Sequence, residues 1–347
     1  MGVLRRTFDG LMERRMPVLA SLHLGMEERL ALCRRYGRAS LAYSCSVQPD
    51  LAYHGDGTGF IAYADKMGYR FALGDPVAPP ERRAALIESF VAEAGAPCFV
   101  QIGQETAAIL SQLGYRVNRM GVETVLPLSV SMFAGARNQS IRYSERWLVQ
   151  RGYRLMEAAP GEAETARIAA EISAEWRAGR IVRRREMRFI NRPFQPLPGP
   201  DMRRFVMLNP EGHVVALLDF DPIYDEGSVI GYTTAFKRKR SGTTPHAEIA
   251  LTKYAAERFR EERIGFMTLG LSPLASIEDS GFPESRIWQN LFRRAYHSRR
   301  VNERIFNLQG QAAFKRRFHG EEVPTYIAFK HASPLTMLAL LRLLKTL

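Results

Sequence analysis

The sequence predicts a mixed α/β fold assembled from two successive units of the same grammar. Short apolar runs alternate with helical periods along the chain, and the pattern starts again after a basic, aromatic stretch near residues 140–150. With 347 residues, 46% of them hydrophobic, there is enough chain for two cores.

Taken in order, residues 60–63 and 69–73 have the composition of meander strands closed by Gly74-Asp75-Pro76-Val77. An amphipathic helix is predicted over 81–94, a buried strand over 98–102, a helix over 105–113 and a strand near 123–128. Residues 140–150 form a basic helix broken by Gly152. The second unit opens with a helix over 161–176, followed by an irregular basic stretch (177–189) and a Pro-rich loop through Pro200. Strands are expected at 204–208, 214–220 and 228–236, then a loop over 237–245, a helix over 246–262 and a strand over 266–271. The resulting division is an N-terminal helical segment (1–30), a first unit (31–139), a linking basic helix (140–152), a second and catalytic unit (153–331) and an apolar C-terminal helix (332–347).

Lys and Arg outnumber Asp and Glu by 49 to 36, a formal +13 that favours polyanions: tRNA, a nucleotide cofactor or an anionic lipid surface. Cys33, Cys45 and Cys98 show no CxxC spacing, which fits a reducing compartment. No His stands at zinc-type spacing, so no metal site is expected. The Arg-rich first residues lack the apolar core of a secretory signal, and no stretch approaches the roughly 20 apolar residues that cross a bilayer. Together these predict a cytoplasmic protein associated peripherally with the inner face of the membrane. Residues 335–347, apolar with Arg342 and Lys345, follow a Ser333-Pro334 helix start; they suit either an interfacial anchor or a helix packed on the protein's own core or a second copy. A homo-oligomer is left open.

The segment most informative about chemistry runs from the strand at 228–236 through Lys237-Arg238-Lys239-Arg240-Ser241-Gly242-Thr243-Thr244 into a helix. N–H groups at a helix start and a cluster of cations suit a phosphate. The arrangement resembles the strand, loop and helix that bind coenzyme A pyrophosphate in acetyltransferase-like (GNAT-type) folds, although the usual glycine spacing is missing; a solvated basic turn is the alternative. Lys237, Arg238, Lys239, Arg240, Gly242 and Thr243 are therefore candidate donor-phosphate or tRNA ligands. Gly270-Leu271-Ser272-Pro273-Leu274 ends the next strand where a sheet would splay to admit substrate.

Further on come Phe306 to Phe318, whose helix places cations on one side and the pair Phe314 and Phe318 on the other, and then Pro324-Thr325-Tyr326-Ile327-Ala328-Phe329. With Gly74-Asp75-Pro76-Val77, Leu113-Gly114-Tyr115-Arg116, the strand at 122–128, Met187-Arg188-Phe189 and 269–274, these residues resemble the catalytic region of phosphatidylglycerol lysyltransferases over about residues 30–329. The resemblance implies tandem GNAT-like units joined by a basic helix. It also implies transfer of an amino acid from aminoacyl-tRNA to a membrane lipid head group. The sequence departs from the family at Gly231-Tyr232-Thr233-Thr234-Ala235, where lysyl-transferring members carry an acidic residue three before an arginine, so a different donor, acceptor or both are expected. The membrane-integral flippase portion of many members is also missing.

No Ser-His-Asp or Cys-His motif stands out, which favours direct attack without a covalent enzyme intermediate. Glu248 and His246 are candidates for proton management, and the match of Lys315 to the family's helix implies a role in stabilising negative charge; capping and dipole compensation are the structural alternatives for the first two, a solvated cation for the third. Asp219, Asp221 and Tyr224 in an acidic, aromatic cluster, with Tyr232 and Ser272, are candidate substrate contacts, Asp225 and Glu226 being assigned to a hairpin turn. No tightly bound cofactor is expected: aminoacyl-tRNA would be a co-substrate, with acyl-CoA or an acyl carrier as the alternative donor and a non-catalytic binding module as the third reading.

Overall fold

The computed structural model describes residues 7–8, 10–11, 19, 24–129, 132–179, 187–331 and 333–346. Most of the expected N-terminal helical segment and residues 180–186 of the basic stretch lie outside them. Among the described residues a single mixed sheet of eleven strands forms the centre of the molecule. Its strands are β1 (Ala52–Gly55), β2 (Phe60–Lys66), β3 (Tyr69–Val77), β4 (Cys98–Ile102), β5 (Arg116–Pro127), β6 (Arg154–Glu157), β7 (Arg203–Leu208), β8 (Val214–Asp225), β9 (Ser228–Lys239), β10 (Phe266–Pro273) and β11 (Glu321–Phe329).

Their spatial order is β1-β2-β3-β4-β11-β5-β10-β9-β8-β7-β6. Each half contributes an antiparallel meander whose last strand pairs in parallel with the strand after a helix: β3 with β4 across α3 (Pro80–Ala94), and β9 with β10 across α7 (His246–Glu261). This is the tandem GNAT-type mixed α/β fold that the sequence predicts. The two halves are not separate sheets, however. β11, expected in the second unit, lies between β4 and β5 of the first, and β5 pairs in turn with β10.

The helices cover both faces. On the first half, α3 and α4 (Gln104–Gln112) pack over Ile61, Tyr63, Ala72, Phe99, Val117 and Ala328, while α1 (Met26–Tyr36) and α2 (Ala42–Val47) cover the other face. On the second half, α7 and α5 (Gln139–Val149) bury Phe205, Leu218 and Phe220 on one face, and α6 (Ala163–Ala178) sits over Val206 and Leu217 on the other. The alternation of Phe205 with Val206 and of Leu217 with Leu218 is what a strand covered on both sides requires. α5 covers most of the stretch expected as a basic helix (140–152).

Four further helices complete the fold: α8 (Arg286–His297), α9 (Arg299–Arg304) and α10 (Leu308–Arg316) between β10 and β11, and α11 (Pro334–Leu343) after β11. For α11 the structure resolves the alternatives left open by the sequence. The Ser333 hydroxyl caps it by accepting from Thr336 N–H, and Ala339, Leu340 and Leu344 are buried in the core that contains Phe71 and Phe329. No helix among the described residues is long and apolar enough to cross a membrane.

Candidate active site

The site arises where the parallel pair separates. β9 and β10 pair only through Gly231–Phe266, Tyr232–Met267 and Thr233–Thr268. Beyond Thr233, β9 stays with β8, while β10 follows β5 after a bulge between Thr268 and Leu271. Gly270 makes that bulge possible: its φ of +74° is disfavoured for residues with a Cβ. A cleft of about 400 Å³ fills the wedge. Its walls come from both sides of the sheet, with Trp176 of α6 and Arg192 among them and Glu248 of α7, Phe314 and Lys315 of α10 opposite.

Lys315 is the most constrained group there. Its residue is only 5% exposed, and its Nζ donates to the carbonyls of Gly270 (2.9 Å) and Leu271 (2.6 Å), the two oxygens turned inward by the bulge. Burial, reinforced by the nearby Lys237 cation and opposed by Glu123, pushes its amine down to about 7. Glu123 stands on β5 directly opposite Leu271, accepts from Ser40 Oγ and is held near Gln101. Burial raises its carboxyl above the usual range, against the pull of Ser40 and Lys315. A neutral amine with both hydrogens on carbonyls keeps one lone pair, so this lysine can take up and release a proton near neutrality.

The basic run behaves differently from the expected loop. β9 continues through Lys239, so Lys237 and Lys239 share one face and Arg238 takes the other. Lys237 Nζ lies 3.7 Å from Glu248 and 3.7 Å from the centroid of the Phe314 ring; Lys239 is 3.5 Å from the same carboxylate. Burial lowers the Lys237 amine, with Glu248 acting against it. Arg238 is packed against Trp176, Phe194 and Phe236 and lines the cleft beside Lys237. Arg240 turns away to Glu171 and Glu175 on α6, and Thr243 donates to Val215 O; neither they nor Gly242 line the cleft.

Of the other predicted residues, Glu248 and Asp221 line the cleft. Asp221 is held bidentately by the buried Arg192 (2.6 and 3.0 Å), and Asp219 by the buried Arg204 (2.7 and 2.8 Å), so the acidic cluster is a set of internal ion pairs, not a receptor for a substrate ammonium. Tyr224 donates to Asp201 (2.7 Å), and Tyr232 stacks on Phe259 at 4.4 Å; both are core residues. Ser272 is buried opposite Val122. His246 Nδ1 lies 3.0 Å from Ser144 Oγ and its ring packs on Trp147, which assigns it to the α5–α7 interface, away from the cleft. On α10, Arg316 and Arg317 point outward but Lys315 faces inward, so the cations do not keep to one side as expected.

Residues 30–329 match the family model described as phosphatidylglycerol lysyltransferase, C-terminal. The chain belongs to this family. It is 23% identical over 284 residues to the phosphatidylglycerol lysyltransferase of Bacillus subtilis, covering 80% of this chain and 32% of that one. The chain spans about a third of the length of the curated relatives it matches. Among solved structures, the L-PGS of Bacillus licheniformis superposes with a TM-score of 0.75 at 21% identity, covering 94% of this chain and 99% of that one. The C-terminal domain of a putative lysylphosphatidylglycerol synthetase from Agrobacterium fabrum gives 0.76 at 21%, covering 92% and 96%. These likenesses establish the fold.

For this member of the lysyltransferase C-terminal family, the sequence reading missed Glu123, Ser40, Gln101, Arg192 and Trp176. Ser40 and Gln101 belong to the first half, which supplies them, with Glu123, to a cleft whose remaining walls come from the second. No local motif marks them. The one available signal is a carboxylate, Glu123, beside Thr124 in a run that is otherwise apolar, Gly121-Val122-Glu123-Thr124-Val125-Leu126. Among the described residues no cluster of three or more His, Cys, Asp or Glu could hold a metal.

Proposed function

We propose that this protein transfers an aminoacyl group from aminoacyl-tRNA to the head group of a membrane phospholipid by direct attack. The observation that carries the reading is Lys315: a buried amine poised near pH 7, fixed by two carbonyls at the mouth of a splayed parallel strand pair. Family membership and the names of its relatives, a phosphatidylglycerol lysyltransferase and a lysylphosphatidylglycerol synthetase, support the lipid acceptor.

In this scheme an acceptor hydroxyl loses its proton to the neutral Lys315 amine as its oxygen forms a bond to the ester carbonyl carbon. The bond from that carbon to the ribose oxygen breaks, and the proton passes to the departing ribose hydroxyl. Ester is exchanged for ester, so no oxidant, energy source or covalent enzyme intermediate is needed. This replaces the expected role of Lys315 as a fixed cation, which an amine near neutrality fills poorly. Lys237 on one face of β9 and Arg238 on the other supply positive charge on the two sides of the cleft, the developing oxyanion lying beside Lys237 and the donor's terminal phosphates beside Arg238. Because the cleft reaches both sides of the sheet, a polynucleotide donor and a lipid acceptor can approach without crossing. No cleft carboxylate is left without a partner: Asp221 faces Arg192, Glu248 faces Lys237, and Glu123, its carboxyl raised by burial, accepts from Ser40 beside Lys315. That favours a donor amino acid with an uncharged side chain.

The test is incubation of pure protein with labelled aminoacyl-tRNA pools and phospholipid, repeated with acyl-CoA. Label should enter lipid only from tRNA; label from acyl-CoA alone would replace the reading by a thioester-dependent acyltransferase.

A further inference from the structure

We infer that α8 and α9 form a docking surface for an anionic lipid bilayer, one that holds the rim of the cleft at the head-group layer. The inference rests on the lipid-acceptor reading only in giving that surface its purpose; the surface itself is argued from its own chemistry.

α8 buries Trp288 and Phe292 against Phe329 and the core, which a helix of this pattern must do. It also leaves apolar groups in solvent. Ile287 is 80% exposed and Leu291 45%, one turn apart on the flank of the buried stripe. Ile287 is the most open of the large hydrophobic side chains in the described residues, and with Leu291 it makes a short aliphatic edge among arginines. Arg286, Arg293, Arg294, Arg299, Arg300, Arg304, Arg316 and Arg317 are all exposed between residues 286 and 317, and Glu303 is the one acidic residue in that span. Arg299 answers Glu303, and Arg316 pairs with Glu322; the arginines outnumber the available carboxylates.

An aliphatic edge set among arginines matches the interfacial region of a bilayer, where acyl chains and phosphates lie within one side-chain length of each other. Nucleic acid would use the arginines but offers nothing to Ile287 and Leu291, and a second copy of so basic a surface would repel itself. The same charge complementarity selects anionic over zwitterionic lipid.

The surface is also tied to the cleft. Gln309 at the start of α10 donates to Tyr296 O at the end of α8 (3.0 Å), and its N–H donates to Asn302 Oδ1 on α9 (2.9 Å). Two residues before Gln309, Asn307 lines the cleft together with Phe306, Gly310 and Phe314. The rim of the cleft is thus joined by hydrogen bonds to both helices that would lie on the membrane.

The test is cosedimentation of the whole protein with vesicles of phosphatidylglycerol and phosphatidylcholine, and with vesicles of phosphatidylcholine alone, with no tRNA present. The wild type should bind the anionic vesicles, weakly the neutral ones, and release in high salt. Ile287→Ser with Leu291→Ser should lower partition at least about tenfold, and Arg294→Gln with Arg300→Gln about fivefold per arginine. Both double variants should keep wild-type melting curves, since these side chains are in solvent. Binding unchanged in both variants, or equal binding to neutral vesicles, overturns the proposal, as does loss of tRNA binding in place of vesicle binding. Failure of transfer to detergent-dispersed lipid, with vesicle binding intact, would instead count against the proposed reaction and leave the docking surface standing.

Discussion

Replacing Lys315 by Met keeps most of the side-chain volume and removes the titrating amine. In the folded protein that amine lies at about 7, against an ordinary 10.5 that the unfolded chain recovers. Between those values the unfolded state holds a proton that the folded state lacks, so this group makes stability rise with pH by up to about 1.4 kcal/mol per pH unit. Integrated from pH 6 to pH 9, the wild type should gain about 2.6 kcal/mol relative to Lys315→Met. Glu123 acts in the same direction: without the neighbouring cation its raised carboxyl rises further, and the variant loses stability as pH increases. Urea unfolding of both proteins at pH 6, 7, 8 and 9 measures the difference, since the other titrating groups largely cancel. The rate of aminoacyl transfer should climb with an apparent pKa near 7 in the wild type and collapse in Lys315→Arg, whose guanidinium stays protonated. A stability difference independent of pH would mean that Lys315 is charged throughout, and the proton-transfer argument would be refuted.

Other outcomes follow from the same geometry. Asp219→Ala strands the buried Arg204 guanidinium and should destabilise the fold by about 3–5 kcal/mol in urea titration. Gly270→Ala forces a side chain onto a backbone at φ +74°; it should cost about 1 kcal/mol of stability yet reduce transfer disproportionately, because the carbonyls holding Lys315 move with the bulge. Leu340→Ala should cost about 2–5 kcal/mol and leave vesicle binding unchanged at a temperature where the variant is folded, as expected of a helix packed on its own core.

Much of the element order was readable because periodicity dominates where one covering helix meets one strand face. The strand Cys98–Ile102 has the expected ends, and the helices Pro80–Ala94 and His246–Glu261 fall within one residue of theirs. The N-terminal half of β5 was not readable: Arg116-Val117-Asn118-Arg119 has the composition of a loop, yet Asn118 is buried because its amide exchanges hydrogen bonds with Ser285. Lys237 to Lys239 were read as a loop for their charge, whereas a strand that has lost one neighbour can carry lysines facing Glu248. The acidic cluster misled because its arginine partners, Arg192 and Arg204, stand 29 and 15 residues upstream of Asp221 and Asp219. Within the site, Glu248 could be picked from its place at a helix start and Lys315 from the family resemblance, but Glu123 acquires meaning only when β5 is paired with β10.

The position of β11 has a consequence for how this polypeptide matures. A nascent chain that has emitted everything through β10 still has a gap in the middle of its first half, with β4 and β5 lacking the neighbour they share. Closure must wait for residues 321–329, so neither half should survive limited proteolysis or separate expression as an ordered body, and the two should melt together. Because α10 directly precedes β11 in the chain, Lys315 is among the last residues made before the strand that closes the sheet.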